Sequence, residues 1–263
     1  MRVTRAMFAA LLLAKSATLL AMDLSLSIQP VLPKSEILKA YQPLADYLSK
    51  QTGHTIRIKA HSNFLTYWSS MRQKKGFDLV LDAAHFSDYR VAKMNYEILA
   101  KLPDSVSFSV VTHADNLIFD VDELVLKKVA TMVSPSVGAI RLLSLFPDPM
   151  RQPKIVYAQD SRDAAKRVLD KSVFAAIIPT ALVSGFAGLN TVMTTQSLPH
   201  MAFSAAPEVP VSVRDKIRKA LISAKDTAQG REVLSKLNFA AFEATSAKTY
   251  SGHKSLLSNE LGY

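Results

Sequence analysis

Short apolar runs alternate with helical patterns along most of the chain. Residues 24–29 have strand character, and residues 35–51 predict a helix whose apolar positions share one face. Further strands are predicted over residues 54–60, 77–81, 97–101, 107–113 and 201–205, and near residues 129, 155, 174 and 191. Further helices are predicted over residues 63–74, 84–92, 211–225, 229–236 and 247–257, and near residues 140, 165 and 181. The alternation predicts an α/β fold with mostly parallel sheets flanked by helices.

The strands are expected to form two lobes, because domains usually hold about 100–150 residues. One sheet of about ten strands is the alternative. Two extended segments, residues 105–113 and 194–204, predict two crossings between the lobes. The predicted bounds are residues 22–110 plus 198–263 for lobe I and residues 111–197 for lobe II. Such a chain forms a clamp whose ligand lies in the cleft, where helix N-termini meet the ends of parallel strands.

The turn Ser134-Pro135-Ser136 joins a predicted strand to a predicted helix. The first amides of a helix have no backbone partner, and the helix dipole favours an anion there. We therefore expect the hydroxyl groups of Ser134 and Ser136, with the amides of Val137 and Gly138, to hold an oxyanion. The alternative is that either serine only caps the helix.

Residues 1–21 resemble a secretory signal peptide, with a basic start, an apolar stretch over residues 6–13 and small residues before residue 22. A buried N-terminal helix or a retained anchor is the alternative. The segment is short for a bilayer span, and no later stretch approaches the roughly 20 apolar residues that a span needs. The sequence thus predicts export.

Charge argues against a nucleic-acid partner. Removing residues 1–21 deletes three basic residues (Arg2, Arg5 and Lys15) and no acidic one, so the net charge of +10 falls to +7. The remaining basic residues are scattered and are not interleaved with aromatic ones, whereas nucleic-acid binding shows a clustered basic footprint.

The composition also argues against several kinds of catalytic, nucleotide-binding and metal site. The chain has no cysteine, so it has no thiol nucleophile and no disulfide. Its eight glycines form neither a G-x-G-x-x-G nor a P-loop pattern, and its histidines lack helix-face metal spacing. No cofactor and no metal are predicted. An enzyme is the least favoured class, because no G-x-S-x-G elbow or paired nucleophile and base can be named.

Six short motifs, in order, resemble the periplasmic solute-binding proteins for phosphonate, phosphite and phosphate. They lie at residues 41–48 (Tyr-Gln-Pro-Leu-Ala-Asp-Tyr-Leu), 77–82 followed by 84–86, 134–138, 160–165, 175–179 and 196–200. The resemblance implies a type II periplasmic-binding fold with two lobes. It also implies a periplasmic location and delivery of the ligand to the membrane permease of an ATP-binding-cassette (ABC) transporter.

The same motifs depart from the family pattern. Pro135 and Val137 interrupt its run of hydroxyl residues, and Asp160 stands where the family often has a histidine. Ala181 stands where aminophosphonate binders carry an acidic residue, and Ser105 lies near the position of an expected aromatic residue. The resemblance therefore disfavours an aminoalkylphosphonate and leaves a phosphorus oxyanion as the leading ligand.

Six further residues complete the predicted ligand contacts. Most of them lie just beyond strand ends or at the return crossing, and they are His85, His200, Asp82, Thr180, Asp160 and Phe64. Capping or packing is the alternative for the histidines and for Asp82, and a core role is the alternative for Phe64. The predicted protein is a monomer that captures a small oxyanion for an importer. The main alternative is a sensory module that presents the solute to a membrane receptor or kinase.

Overall fold

The computed structural model of the protein describes residues 21–73, 77–260 and 262–263. The predicted signal segment therefore lies outside the described residues, apart from Ala21. None of the helices in the described part of the chain is long and apolar enough to cross a membrane.

The first part of the chain alternates strands and helices. The elements are β1 (Asp23–Ile28), α1 (Lys34–Thr52), β2 (Thr55–Lys59), α2 (Phe64–Arg72), β3 (Leu79–Asp82), α3 (Ala84–Met94), β4 (Glu97–Lys101) and β5 (Ser105–Val106). Helix α1 buries the face that the sequence predicts, including Ile37, Leu44 and Leu48. It ends at Gly53, whose φ of 76° is left-handed and favours glycine.

The alternation continues through the rest of the chain. The elements are β6 (Phe108–His113), β7 (Lys128–Thr131), α4 (Val137–Ser144), β8 (Lys154–Tyr157), α5 (Ser161–Leu169), β9 (Ala175–Pro179), α6 (Thr180–Val183), β10 (Leu189–Thr194), β11 (Leu198–Pro199), β12 (Ala202–Ala205), α7 (Val211–Ile222) and α8 (Ala228–Leu237). Short 3-10 turns cover Val121–Leu124, Pro149–Arg151, Ala224–Asp226, Ala247–Tyr250 and His253–Leu257.

Two five-stranded sheets form the two lobes, as predicted. Their strand orders are β2-β1-β3-β12-β4 and β10-β6-β9-β7-β8. Each sheet contains one strand that runs against the other four, β12 in lobe I and β6 in lobe II. Each of these strands is the first one after a crossing, so the chain leaves each crossing in the opposite sense to the parallel strands of the lobe that it joins.

The two crossings pair with each other. Strands β5 and β11 form a small antiparallel ribbon in which Val106 faces Leu198 and Ser105 faces Pro199. The second sheet begins at Phe108, so residues 108–110 pair in lobe II although the predicted bounds place them in lobe I. The exact bounds of the lobes stay a prediction.

The predicted helix over residues 247–257 is wrong. Two 3-10 turns, Ala247–Tyr250 and His253–Leu257, replace it. Gly252 lies between them with a φ of 93°, which is incompatible with a continuous right-handed helix. This C-terminal segment packs against α3 through Asp88, whose carboxylate accepts from the amide of Lys254 at 2.8 Å.

Candidate functional site

A cavity of about 350 Å³ lies between the lobes. Lobe I lines it with Gln29, Val31, Leu32, Phe64, Ala83 and Met201, and the crossings contribute Val106 and His200. Lobe II lines it with Phe108, Thr131, Met132, Ser136, Val137, Gly138, Asp160, Ser161, Arg162, Ile177, Pro179, Ala181 and Leu182. Six predicted contacts therefore border one cavity: Phe64, Ser136, Val137, Gly138, Asp160 and His200.

The N-terminus of α4 opens on this cavity. Ser136 caps the helix, because its Oγ accepts from the amide of Ala139 at 3.3 Å, and the same Oγ donates to the carbonyl of Met132 at 3.2 Å. Among the described residues, the amides of Val137 and Gly138 have no acceptor. The helix therefore presents two free donors and the positive end of its dipole to the cavity.

Thr131 adds a hydroxyl beside these amides. It is the last residue of β7 and is only 1% exposed, yet its Oγ1 has no partner within the described structure. The same Oγ1 lies 3.4 Å from the point where a Cβ on Gly138 would stand. An unpaired buried hydroxyl at a cavity wall is costly unless a ligand or water pairs with it. Thr131 is not predicted from the sequence, where its only signal is a polar residue at the end of an apolar strand.

The N-terminus of α5 also borders the cavity, but the side chain of its N-cap residue, Asp160, occupies this terminus. Asp160 Oδ1 accepts from the amide of Arg162 at 2.7 Å and from the amide of Asp163 at 2.8 Å. A carboxylate thus already occupies the anion position of α5. Arg162 is exposed and also lines the cavity, and its guanidinium makes no ion pair with any described residue. Sequence analysis did not single out Arg162.

His200 supplies a donor at the crossing. Its Nδ1 accepts from the amide of Met201 at 2.7 Å, so the neutral ring carries its proton on Nε2. Burial, followed by the charge of Lys101, lowers the pKa of His200 below its usual value. The ring is therefore neutral at pH 7 and offers Nε2–H as a donor.

Ser134 and His85 lie outside the cavity, contrary to the sequence prediction. Ser134 Oγ donates to Glu260 Oε1, and His85 Nε2 donates to the carbonyl of Pro135 at 3.0 Å. Each hydrogen bond joins a residue of the 134–136 turn in lobe II to a residue of lobe I. These two hydrogen bonds join the lobes, and the neighbouring Val137 belongs to a buried apolar cluster that also contains Ala83 and Tyr250 of lobe I.

Asp82 also lies outside the cavity and instead anchors lobe I. It is completely buried, and its Oδ2 accepts from Arg90 Nε at 2.6 Å, while its Oδ1 accepts from the hydroxyl of Tyr67. It does not cap α3, whose N-cap residue is Ala83. The expected roles of Asp82, ligand contact or helix cap, are therefore both replaced by a buried ion pair.

Thr180 begins α6 but does not line the cavity. Its Oγ1 lies 2.9 Å from the hydroxyl oxygens of both Ser107 and Ser109. Ser109 in turn lies 3.1 Å from the hydroxyl of Thr194. This small hydroxyl network ties α6 to strands β6 and β10, so Thr180 holds the wall of lobe II in place.

Replacing Ser136 with alanine is expected to affect stability more than binding. Both hydrogen bonds of its Oγ are internal, and loss of an N-cap costs about 1 kcal/mol of unfolding free energy. Chemical denaturation and titration calorimetry on one variant measure the two quantities separately. A large loss of affinity with unchanged stability would contradict this assignment.

The buried ring of His85 is expected to make stability depend on pH. Burial lowers the pKa of His85 to about 4, whereas an unfolded histidine titrates near 6.5. The unfolded chain thus binds more protons between these values, and the contribution of His85 to stability is lost as the pH falls. Between pH 6 and pH 5 it should fall by about 1 kcal/mol. His85→Gln keeps a neutral donor for Pro135, so its denaturation curves should show a shallower pH dependence; identical pH profiles would contradict the prediction.

The fold has close structural relatives of low sequence identity. PhnD1 from Prochlorococcus marinus, solved with methylphosphonate, has a TM-score of 0.75 at 13% identity, over 90% of this chain and 97% of that one. A binding protein component of an ABC phosphonate transporter from Pseudomonas aeruginosa has a TM-score of 0.74 at 14% identity, over 88% and 83%. A protein from Xanthomonas citri bound to ATP has a TM-score of 0.71 at 12% identity, over 90% and 96%. At this identity the likeness shows the fold alone.

Sequence comparison gives the family. No curated protein sequence matches the chain. The profile of one family, described as "ABC transporter, phosphonate, periplasmic substrate-binding protein", matches residues 26–250. That family consists of solute-binding proteins, not enzymes, and its fold is the one described above. The chain therefore belongs to the periplasmic substrate-binding protein family of phosphonate ABC transporters.

Proposed function

We propose that this protein captures a small oxyanion, with a phosphorus oxyanion favoured, in the cleft between its two lobes. One observation carries the proposal: the polar groups left open to the cavity are almost all donors. They are the amides of Val137 and Gly138, the hydroxyl of Thr131 and Nε2 of His200, and the basic residue Arg162 also lines the cavity. Hydrogen bonds from several such groups favour a charged acceptor.

The acceptors at the cavity are largely engaged within the protein. Gln29 Oε1 accepts from the amide of Ala83 at 2.9 Å, and Ser136 Oγ is used by the helix cap. Among the described residues, one carboxylate oxygen of Asp160 has no partner, but the other oxygen accepts from two amides of α5. We therefore propose that the anion binds at the N-terminus of α4 and not at that of α5, where the carboxylate of Asp160 would repel it.

Capture would proceed by closure of the lobes about the β5–β11 ribbon. Lobe I, residues 22–110 with 198–263, would swing onto lobe II, residues 111–197. The contacts from Ser134 to Glu260 and from His85 to Pro135 support a closed arrangement, because they join the lobes beside the anion site. The ligand would be held by α4 of lobe II and by His200 at the crossing.

Family membership supports export of the protein and delivery of the captured ligand to the permease of an ABC transporter. The proposed working form is a monomer. A sensory role, in which the clamp presents its ligand to a membrane receptor or kinase, is the second candidate. Neighbouring genes distinguish the two, since a permease and an ATPase indicate transport and a kinase indicates sensing.

A thermal-shift screen tests the capture of an oxyanion. The panel is phosphate, phosphite, methylphosphonate, methanesulfonate and acetate, with choline as a cationic control. A ligand at 100 times its dissociation constant adds about 2.7 kcal/mol of stability, which raises the melting temperature of a chain of this size by roughly 5–10 °C. Stabilisation by an oxyanion and not by choline is the expected result. Stabilisation by no oxyanion, or by choline alone, would overturn the proposal.

A further inference from the structure

We infer that the ligand carries an apolar body of several carbon atoms behind its oxyanion head. The inference rests on the proposed function and specifies its ligand class. It follows from the walls of the cavity, since the Thr131 hydroxyl lies beside the open amides at the start of α4 and most of the cavity surface is hydrocarbon. A small hydrophilic anion would leave these walls without contacts.

The apolar wall is built by both lobes. Lobe I contributes Val31, Leu32, Phe64 and Met201, and lobe II contributes Phe108, Ile177 and Leu182. Most of these side chains are only partly buried, so apolar surface remains for a ligand to cover. Covering it releases about 25 cal/mol for each Å² removed from water.

The other side chains of these walls do not require a polar ligand. Both ends of the Gln29 side-chain amide have a partner within the protein. Its Oε1 accepts from the amide of Ala83, and its Nε2 donates to the sulfur of Met201. Ser161 directs its hydroxyl to the sulfur of Met132 at 3.9 Å. Ala181 borders the cavity with a methyl group, so it offers an ammonium group no partner.

The apolar wall starts directly beside the anion position. Ile177 Cγ2 and Phe108 Cδ1 lie 3.6 Å from the point where a Cβ on Gly138 would stand, and Thr131 Oγ1 lies 3.4 Å from it. A head group at the amides of α4 would therefore place its first carbons against these two side chains. The other helix N-terminus, at α5, is filled by Asp160 and so does not compete for the head.

The volume is also too large for a bare anion. A water molecule needs about 10–15 Å³ of such space, whereas the cavity offers about 350 Å³. This size and this mainly apolar lining are typical of sites that enclose an organic ligand. Atoms of an apolar body would make dispersion contacts with these walls.

Titration calorimetry with methyl-, ethyl-, propyl-, butyl- and hexylphosphonate tests the inference. Affinity should rise about fourfold for each added methylene group until the cavity is filled, because each contributes roughly 0.8 kcal/mol. The heat capacity change of binding should become more negative along the series. Binding of methylphosphonate or phosphate with no gain for longer chains would overturn the inference and leave the proposed function standing. Binding of no phosphonate, phosphate, sulfonate or carboxylate would overturn both.

A matched pair of ligands separates an apolar body from an amino group. Propylphosphonate and 2-aminoethylphosphonate have the same shape, but one ends in a methyl group and the other in an ammonium group. Propylphosphonate should bind at least tenfold more tightly, because the ammonium group would lose its water against hydrocarbon. Tighter binding of 2-aminoethylphosphonate, through the free oxygen of Asp160, would overturn the inference.

A variant of the apolar wall tests where the apolar body of the ligand binds. Leu182→Ser should weaken hexylphosphonate severalfold and leave methylphosphonate nearly unchanged. Leu117→Ser is the control, because Leu117 is 73% exposed and lies outside the cavity. Equal weakening of the two ligands by Leu182→Ser, with both variants folded, would contradict the placement of the apolar body against this wall.

Discussion

Replacing Asp82 with asparagine is expected to lower the free energy of unfolding by about 3–5 kcal/mol, because it leaves a buried charge without its partner. Arg90 and Asp82 are both completely buried, and their 2.6 Å contact is the main compensation for the desolvated guanidinium. Burial by itself lowers the pKa of Arg90, but Asp82 together with Tyr67 and Tyr96 raises it by more, so the guanidinium stays charged. Denaturant unfolding monitored by circular dichroism measures the loss.

The control for this prediction is an exposed ion pair on the same lobe. Asp23 and Arg57 lie 3.3 Å apart with side chains that are mostly exposed, so Asp23→Asn should cost at most about 1 kcal/mol. The double variant Asp82→Leu, Arg90→Leu removes both buried charges and should recover part of the stability. A loss for Asp82→Asn as small as that for Asp23→Asn would contradict the structural role. So would normal stability combined with lost ligand affinity.

Replacing Gly138 with alanine is expected to raise stability and lower affinity. Alanine is favoured over glycine inside a helix by about 0.5–1 kcal/mol, and the new methyl group would meet its neighbours at 3.4–3.6 Å, which is ordinary contact. That methyl group would stand against Thr131 Oγ1 and cover a hydroxyl that faces the ligand. Loss of one hydrogen bond to a charged group should reduce oxyanion affinity by about 10- to 100-fold.

Variants of Thr131 provide the controls for this second prediction. Thr131→Val keeps the shape and removes the hydroxyl, so it should weaken the oxyanion to a similar extent. Thr131→Ser keeps the hydroxyl and should retain most of the affinity. Melting temperature and titration calorimetry on the same samples give both quantities. Unchanged affinity in Gly138→Ala and in Thr131→Val would mean that the ligand does not reach this end of the cavity.

The fold could be predicted from the sequence because its periodicity is local. Strand β3 has three consecutive apolar residues before Asp82, helix α1 carries a clear apolar face, and the Ser134-Pro135-Ser136 turn leads into α4 as expected. The C-terminal segment was mispredicted because an apolar pattern does not reveal where Gly252 breaks the helix.

The candidate site could be predicted only in part, because contacts between segments that are distant in the sequence decide which side chains face the cavity. Sequence position places His85 just past a strand end, but only the packed structure turns its ring toward Pro135, 50 residues away. Asp82 has its partner Arg90 only eight residues on, yet nothing local indicates that both are buried. Thr131 cannot be predicted from the sequence, because a threonine in a strand is common. Only the structure shows that its hydroxyl has no hydrogen-bond partner among the described residues.

The strand order of lobe I also sets the sequence in which this protein can finish folding. Strand β12 lies between β3 and β4, where Phe203 faces both Leu81 and Ala100. All of lobe II is inserted between β4 and β12 along the chain, and lobe II can assemble from that continuous stretch. The sheet of lobe I therefore stays open at its middle until the last quarter of the chain is available. Nascent lobe I exposes two unpaired strand edges during this interval, which makes it the lobe that needs protection from aggregation.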